Sequence, residues 1–177
     1  VTSSDHGAVQ GEAPFREPAD NLRTLYFFAP LPLNFVVASG SGIETVSDLE
    51  GEAFNPGGRG TSTEGQVDKV FETIGISPDL ARAEGSDALD AFQNRQIVGF
   101  VKGGINPDGY IEQAASSRDI RMLSLTEDQR DAVTGAYPFF SSAQTNPDEF
   151  YGDSGGPVDT VQTAIGINTT SALPEQI

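Results

Sequence analysis

The segment Ala53-Phe54-Asn55-Pro56-Gly57-Gly58-Arg59-Gly60-Thr61-Ser62-Thr63-Glu64 places a short apolar stretch, a glycine-rich turn and a helix start in immediate succession. After it, apolar residues recur at helical spacing, at Val67, Val70, Phe71 and Ile74. Gly75 then supplies a residue that typically ends a helix. A strand that passes through a turn into a helix is the repeating unit of an α/β sheet. The segment therefore favours an α/β fold.

The turn from Gly57 to Glu64 is also the strongest binding feature of the sequence. A helix N-terminus carries unpaired N–H groups and about half a positive charge. Glycines let a backbone approach a ligand closely, and hydroxyl side chains add further donors. The pattern suits a carboxylate or a phosphate, although it lacks the Gly-Lys-Ser/Thr of a Walker A loop. A plain turn whose Ser or Thr caps the helix is the alternative. The proposed ligand-binding residues here are Gly57, Gly60, Thr61, Ser62 and Thr63.

Strand and helix patterns continue on both sides of this turn. Strands are predicted at 23–28 and 34–39, separated by Pro30-Leu31-Pro32, and later at 97–101, 120–125 and 160–168. Helices are predicted at 46–49, from Ser86, after an Asn106–Pro107 start with Asn106 as cap, and from the Thr126 capping box to about residue 136. Residues 1–20 are rich in Gly, Pro and acidic residues, which predicts loose order. Alternating strands and helices predict a sheet flanked by helices.

The charge balance excludes several kinds of partner. The 177 residues include 26 acidic and 10 basic residues, a net charge of −16, and the lysines are Lys69 and Lys102. Nucleic acids and anionic membranes require clustered basic residues, so neither is expected as a partner. Direct membrane insertion is not expected, since no stretch approaches the ~20 apolar residues of a membrane span. Such a charge is typical of a high-salt environment, with an ordinary acidic secreted protein as the alternative.

Residues suited to metal, redox or nucleophilic chemistry are scarce. The sequence has no Cys and a single His, His6, so we expect no cofactor, no metal site and no catalytic residue. Gly152-Asp153-Ser154-Gly155-Gly156-Pro157 resembles the nucleophile segment of chymotrypsin-like serine proteases. A hydrolase that uses Ser154 is therefore an alternative, but it would need a general base, and His6 lacks that family's sequence context. A tight surface turn explains the segment better.

Several further segments, in order, resemble one family, the TAXI solute receptors of TRAP transporters. The resemblance covers roughly residues 20–177, and the turn from Gly57 to Glu64 is similar to that family's Gly-x-x-Gly-Ser-Gly-Thr-Glu. Thr61 and Ser62 depart from it, as does Val98-Gly99 where the family has Asp-Ala. The other matching segments are residues 22–26, 35–39, 41–51, 87–89, 96–97, 119–123, 136–140 and Leu173-Pro174-Glu175.

The resemblance implies a type II periplasmic-binding fold, with a mixed sheet flanked by helices in one lobe and part of a second lobe. Residues 41–118 would form the second α/β lobe, and residues 21–40 and 119–177 the hinge strands and part of the first lobe. The chain would be partial, and it would belong to an extracytoplasmic (periplasmic) receptor whose signal peptide has been removed.

The resemblance also implies a function without catalysis. Such a receptor binds a small anionic solute between its lobes, here a carboxylate such as glutamate or a dicarboxylate, and delivers it to the TRAP permease in the membrane. Tyr26, Pro107 and Tyr137 are candidates for the wall of the binding cleft. A ligand-sensing module without a transporter is the remaining alternative.

Overall fold

A computed structural model describes residues 3–12, 15–152 and 155–172 of the chain. The helices are α1 Ser3–Gln10, α2 Ser62–Ile74, α3 Gly85–Gln93, α4 Gly109–Ser117, α5 Glu127–Ala136 and α6 Asp148–Tyr151, with short 3₁₀ helices at Ser39–Ser41 and Val46–Leu49. The strands are β1 Leu22–Ala38, β2 Ala53–Asn55, β3 Asp79–Leu80, β4 Gly99–Gly103, β5 Ile120–Met122, β6 Ser141–Thr145 and β7 Val158–Thr170.

All the strands belong to one mixed sheet built around β1. Its order is β3-β2-β4-β1-β7-β6, and β5 pairs with β1 as well. The first half of β1 pairs antiparallel with β7, and its second half lies between β4 and β5, both antiparallel to it. Among the described strands, the parallel pairs are β2 with β3 and β2 with β4. The sheet therefore combines a small parallel part with a larger antiparallel part.

Helices cover both faces of the sheet. Because side chains alternate along a strand, Phe35 and Val37 of β1 face one cluster of buried residues, and Val36 and Ala38 face another. The first cluster takes in residues of α2 and α5, and the second takes in residues of α3 and α4. This arrangement confirms the predicted fold class, a mixed α/β sheet flanked by helices.

Close contact between β1 and β4 explains one departure from the resemblance noted above. A Cβ atom on Gly99 would lie 2.2 Å from the carbonyl oxygen of Val36, far inside van der Waals contact. Any side chain at position 99 would push β4 away from β1. Glycine at this position therefore has a structural reason.

The prediction of two strands separated by a proline turn is wrong, since β1 runs without interruption through Pro30 and Pro32. The Pro32 carbonyl accepts a hydrogen bond from the Gly104 amide, beyond the last β4 pair, so the Pro32 nitrogen points to that same edge and away from β7. Pro30, two residues earlier, points the same way. Neither proline removes a bond from the β1–β7 ladder.

The N-terminal segment contains α1, a helix that was not predicted from the sequence. The helix is held at several points: Ser3 accepts a hydrogen bond from Gln66 of α2 at 2.8 Å, and Asn168 of β7 donates to Asp5. The His6 ring lies 5.3 Å from the ring of Phe139. These contacts come from distant parts of the chain, and composition alone does not reveal them.

The start of α4 needs a correction as well. Asn106 was the predicted cap, but the helix begins at Gly109, and the Asp108 carboxylate accepts hydrogen bonds from the amides of Tyr110 and Ile111. The Asn106 side chain instead donates to the buried Asn34 at 3.1 Å. Asp108 is an equally good cap and lies two residues closer to the helix.

Other local predictions are confirmed. Thr126 and Gln129 form the predicted capping box of α5, and Gly75 ends α2 in a left-handed conformation. In the described ranges, no helix has both the length and the apolar character needed to cross a bilayer.

We expect Phe35→Ala to lower the free energy of unfolding by about 3–5 kcal/mol, because it leaves a cavity in the core. Phe35 has no exposed surface, and its ring lies 6.0 Å from that of Phe71 and 6.4 Å from that of Phe54. Urea denaturation measures the change. Phe150, which is 42% exposed, is the matched control, and Phe150→Ala should cost less than about 1 kcal/mol. Equal losses in the two variants would contradict this description of the core.

Candidate functional site

A cavity of about 190 Å³ lies at the carboxyl ends of β2 and β4. From β2 the chain passes through α2 to β3 on one side, and then through α3 to β4 on the other side of β2. This change of direction is a topological switch point, where open α/β sheets commonly bind ligands. The cavity is lined by the turn before α2 and the start of that helix, the segment before α3, β4 and the start of α4, including Gly57, Thr63, Glu84, Lys102 and Tyr110.

The turn before α2 is braced by its own side chains. The Gly57 amide donates to the Asn55 side chain at 2.6 Å, and the Asn55 amide group donates to the Ala83 carbonyl at 2.9 Å. The Thr61 hydroxyl donates to the Gly58 carbonyl at 2.8 Å and accepts from the Glu64 amide at 3.2 Å. Thr61 therefore caps α2, as in the simpler interpretation of the turn, and its hydroxyl hydrogen is already used within the turn.

The Gly60 amide already holds a carboxylate, that of Glu64, at 2.6 Å. The same carboxylate forms an ion pair with Arg82, whose guanidinium also lies 3.8 Å from Asp68. Burial acts to raise the pKa of Glu64, but the Gly60 amide and the Arg82 guanidinium outweigh it and lower this pKa below its usual value. One amide of the turn is therefore satisfied internally by a carboxylate.

Ser62 and Thr63 occupy the first two positions of α2, where helix geometry leaves the amide N–H groups without a carbonyl partner. Thr63 lines the cavity at the sheet switch point. Gly58 lies beside it in close contact with Glu84, since a Cβ atom on Gly58 would lie 1.9 Å from the Glu84 Cγ atom. Gly58 and Thr63 therefore belong to one wall of the cavity.

Lys102 and Tyr110 form the opposite wall. The Lys102 ammonium lies 3.9 Å from the Asp108 carboxylate and 5.6 Å from the centre of the Tyr110 ring. The Tyr110 hydroxyl donates to the Gly85 carbonyl at 3.1 Å. Burial, followed by the charges of Asp108 and Asp90, raises the pKa of Tyr110 to about 12, so its hydroxyl stays protonated at neutral pH. Of the described residues lining the cavity, Lys102 is the one cation and Glu84 the one carboxylate.

The structure distributes the predicted site residues over several places. Gly57, Thr61 and Thr63 line the cavity at the switch point. Gly60 and Ser62 face a second cavity of about 640 Å³ between α1 and α2.

Three predicted wall residues line neither of these cavities. Tyr26 lies on β1, 54% exposed, with its ring 6.2 Å from that of Phe28. Tyr137 ends α5 beneath the Lys69 ammonium, which is 4.8 Å from the ring centre. Pro107 lies in the loop before α4. The structure does not bring these three residues to the switch-point cavity.

Sequence reasoning missed Lys102, Glu84 and Tyr110. Lys102 did carry a signal, because it is one of two lysines in a very acidic chain and ends a buried strand. Glu84 and Tyr110 resemble the many other surface acids and helical aromatic residues. Glu84 follows β3 and Tyr110 lies on α4, which follows β4, so their place in the site depends on how β2 pairs with β3 and with β4.

The protease-like segment cannot be described at its central residues, because Asp153 and Ser154 lie outside the described residues. His6, its possible base, lies on α1 with its ring against Phe139. Within the described ranges, no group of three or more acidic, His or Cys side chains is placed to hold a metal ion.

A family model matches the whole chain. Residues 1–177 match the model of the NMT1-like family, and the protein belongs to that family.

The solved structures to which the chain is similar include periplasmic binding proteins. One is an ABC-transporter periplasmic binding protein from Brucella ovis with glutathione bound, which is 10% identical over 96% of this chain and 47% of that chain, with a TM-score of 0.52. Others are ArtJ of Geobacillus stearothermophilus, an arginine-, lysine- and histidine-binding protein (11% identity, 85% and 50% coverage, TM-score 0.47), and the aliphatic sulphonate binding protein SsuA of Escherichia coli (17% identity, 78% and 38% coverage, TM-score 0.45). The chain spans half or less of the length of these proteins, and the likeness to the Brucella ovis protein shows a shared fold.

We expect Glu64→Gln to destabilise the protein by about 1–2 kcal/mol at neutral pH, because it removes a charged acceptor from the Gly60 amide and Arg82. The folded pKa lies below the usual value of 4.5, so this stabilisation is present above pH 4.5 and is lost as the pH falls through the folded pKa. Denaturation curves at pH 7 and pH 3 measure the effect.

Glu72→Gln is the control for this prediction, since Glu72 is an exposed residue of the same helix. It should change stability little at either pH. A loss in Glu64→Gln of the same size at pH 3 and pH 7 would show that the Glu64 charge does not hold the turn.

Proposed function

We propose that the chain is the ligand-binding part of an extracytoplasmic solute-binding protein of a transporter, and that it binds a small carboxylate without making or breaking a bond. The observation that carries the proposal is the switch-point cavity, which combines a helix N-terminus with the Lys102 ammonium. Membership of the NMT1-like family and the fold shared with a periplasmic binding protein support it.

Recognition of the carboxylate would use donors from both walls. The backbone of Gly58 and the amide and hydroxyl of Thr63 would bind one oxygen atom, and the Lys102 ammonium would bind the other. Hydrogen bonds of a carboxylate to an ammonium group are charge-assisted and therefore stronger than neutral ones. The dipole of α2 adds a favourable field at the same point. The Gly60 amide is excluded from this role, since Glu64 occupies it.

Glu84 favours an amino acid over a dicarboxylate. Its side chain packs on Gly58 at the edge of the cavity, so a second carboxylate of the solute placed there would meet a like charge. An ammonium group placed there would instead form an ion pair. Among the two solutes suggested by the resemblance, glutamate satisfies both Lys102 and Glu84.

The transporter partner is proposed on sequence grounds. The ordered segments similar to TAXI receptors favour a TRAP permease, and the Brucella ovis neighbour belongs to an ABC transporter. At 10% identity, the likeness to that neighbour supports the fold but indicates neither the kind of permease nor the solute. A receptor that delivers its solute to either kind of permease would use the cavity in the same way. The cleft between two lobes, with residues 41–118 in the second lobe, is part of the same proposal.

We expect Lys102→Met to weaken L-glutamate binding about 10-fold or more, since it removes a charged hydrogen bond of about 1.5–3 kcal/mol. Lys69→Met is the matched control, because Lys69 is the other lysine of the chain and lies on α2 over Tyr137, outside the cavity. It should leave the affinity within about twofold of the original. Titration calorimetry with L-glutamate and with succinate measures both variants and tests the role of Glu84.

Two results would contradict the proposal. Equal losses in the two lysine variants would place the solute elsewhere or make the effect one of overall charge. Tighter binding of succinate than of L-glutamate would contradict the role given to Glu84.

A further inference from the structure

A buried polar network lies directly behind the Lys102 wall of the cavity. Its innermost member is Asn34 of β1, which is 1% exposed. The Asn34 amide group donates to the backbone carbonyls of Lys102 at 3.0 Å and Gly104 at 3.2 Å. Its oxygen accepts from the Asn106 side chain at 3.1 Å. The network therefore holds both the end of β4 and the loop that follows it.

Tyr151 closes this network from a distant part of the chain. Its hydroxyl donates to the Asn106 side-chain oxygen at 2.9 Å and accepts from the Asp108 amide at 2.6 Å. The donor and an acceptor site of this hydroxyl are therefore both in use. Tyr151 ends the short helix α6, which packs against α4. A single hydroxyl thus joins the 148–151 segment to the loop between β4 and α4.

Asp108 connects the network to the cavity. One of its oxygen atoms accepts from the Tyr110 and Ile111 amides and caps α4, and the other lies 3.9 Å from the Lys102 ammonium. Because the Asp108 backbone is bonded to Tyr151, the position of its carboxylate depends on the Tyr151 hydroxyl. The Lys102 ammonium faces that carboxylate, so its position depends on the same hydroxyl.

We propose that Tyr151 is a positioning residue of the site: its hydroxyl fixes Asp108, and Asp108 fixes the Lys102 ammonium at the mouth of the cavity. Tyr151 lies outside the cavity, and it acts through Asp108 rather than by touching the solute. The effect on solute affinity rests on the function proposed above, but the effect on Lys102 does not.

The chain offers a simple test, because Lys69 and Lys102 are its two lysines. With lysine labelled by ¹³C at Cε, an NMR spectrum of the whole chain contains one Cε signal from each. We expect Tyr151→Phe to shift the Lys102 signal and to increase the mobility of that side chain, while the Lys69 signal stays in place. General loosening of the fold would move both signals.

Two further variants complete the test. Tyr137→Phe removes a hydroxyl from a tyrosine that lies beside Lys69, and it should leave the Lys102 signal unchanged. Asp108→Asn keeps an oxygen able to cap α4 but removes the charge that faces Lys102, and it should shift the Lys102 signal as Tyr151→Phe does. If Tyr151→Phe does not fold, Asp108→Asn still tests the link between Asp108 and Lys102.

Titration with L-glutamate separates this proposal from the proposed function. We expect Tyr151→Phe to weaken glutamate binding about 2- to 10-fold, the usual effect of one hydrogen bond. A shifted Lys102 signal in a protein that binds no glutamate would support the positioning role and contradict the proposed solute. An unchanged Lys102 signal in folded Tyr151→Phe, or in Asp108→Asn, would overturn the positioning role whatever the affinity.

Discussion

The complete burial of the second half of β1 is the constraint on which the rest of the structure depends. Leu33, Phe35, Val36 and Val37 have no exposed surface, and the strand is paired on both edges, with β4 and with β5. A strand buried on both faces needs helices on both faces, which α2 and α5 supply on one side and α3 and α4 on the other. The β4 strand, held against β1, then presents Lys102 at the end of the sheet where β2 leads into α2. The cavity is thus a consequence of how β1 is packed.

Features controlled by neighbouring residues were predictable from the sequence. The Thr126 capping box, the Gly75 helix end and the turn at Gly57–Glu64 each depend on a few adjacent positions, and each is present. Features controlled by distant contacts were not predictable. The course of β1 through Pro30 and Pro32 depends on which edge faces β7, and α1 depends on its contacts with α2 and β7. The Asp108 cap was missed because Asn106, a residue equally suited to that role, stands just before it.

For the same reason, one wall of the candidate site was predictable from the sequence and the other was not. The turn before α2 has a recognisable pattern, and the structure places Gly57 and Thr63 at the cavity. The opposite wall, Lys102 and Tyr110, comes from β4 and α4, and pairing of β2 with β4 brings it near the turn. The structure also changes the roles within the turn. Thr61 caps α2 and the Gly60 amide binds Glu64, so the proposed function assigns recognition of the solute to Gly58, Thr63 and Lys102.

The central claim is that a carboxylate binds between the start of α2 and Lys102. Titration of ¹⁵N-labelled protein with L-glutamate, followed amide by amide in NMR spectra, tests it most directly. We expect the largest shifts at the amides of Gly58 and Thr63 and at the residues beside Lys102, and little change at the Gly60 amide, which Glu64 holds. Shifts concentrated at the second cavity between α1 and α2, or on the exposed stretch of β1 around Tyr26, would contradict it.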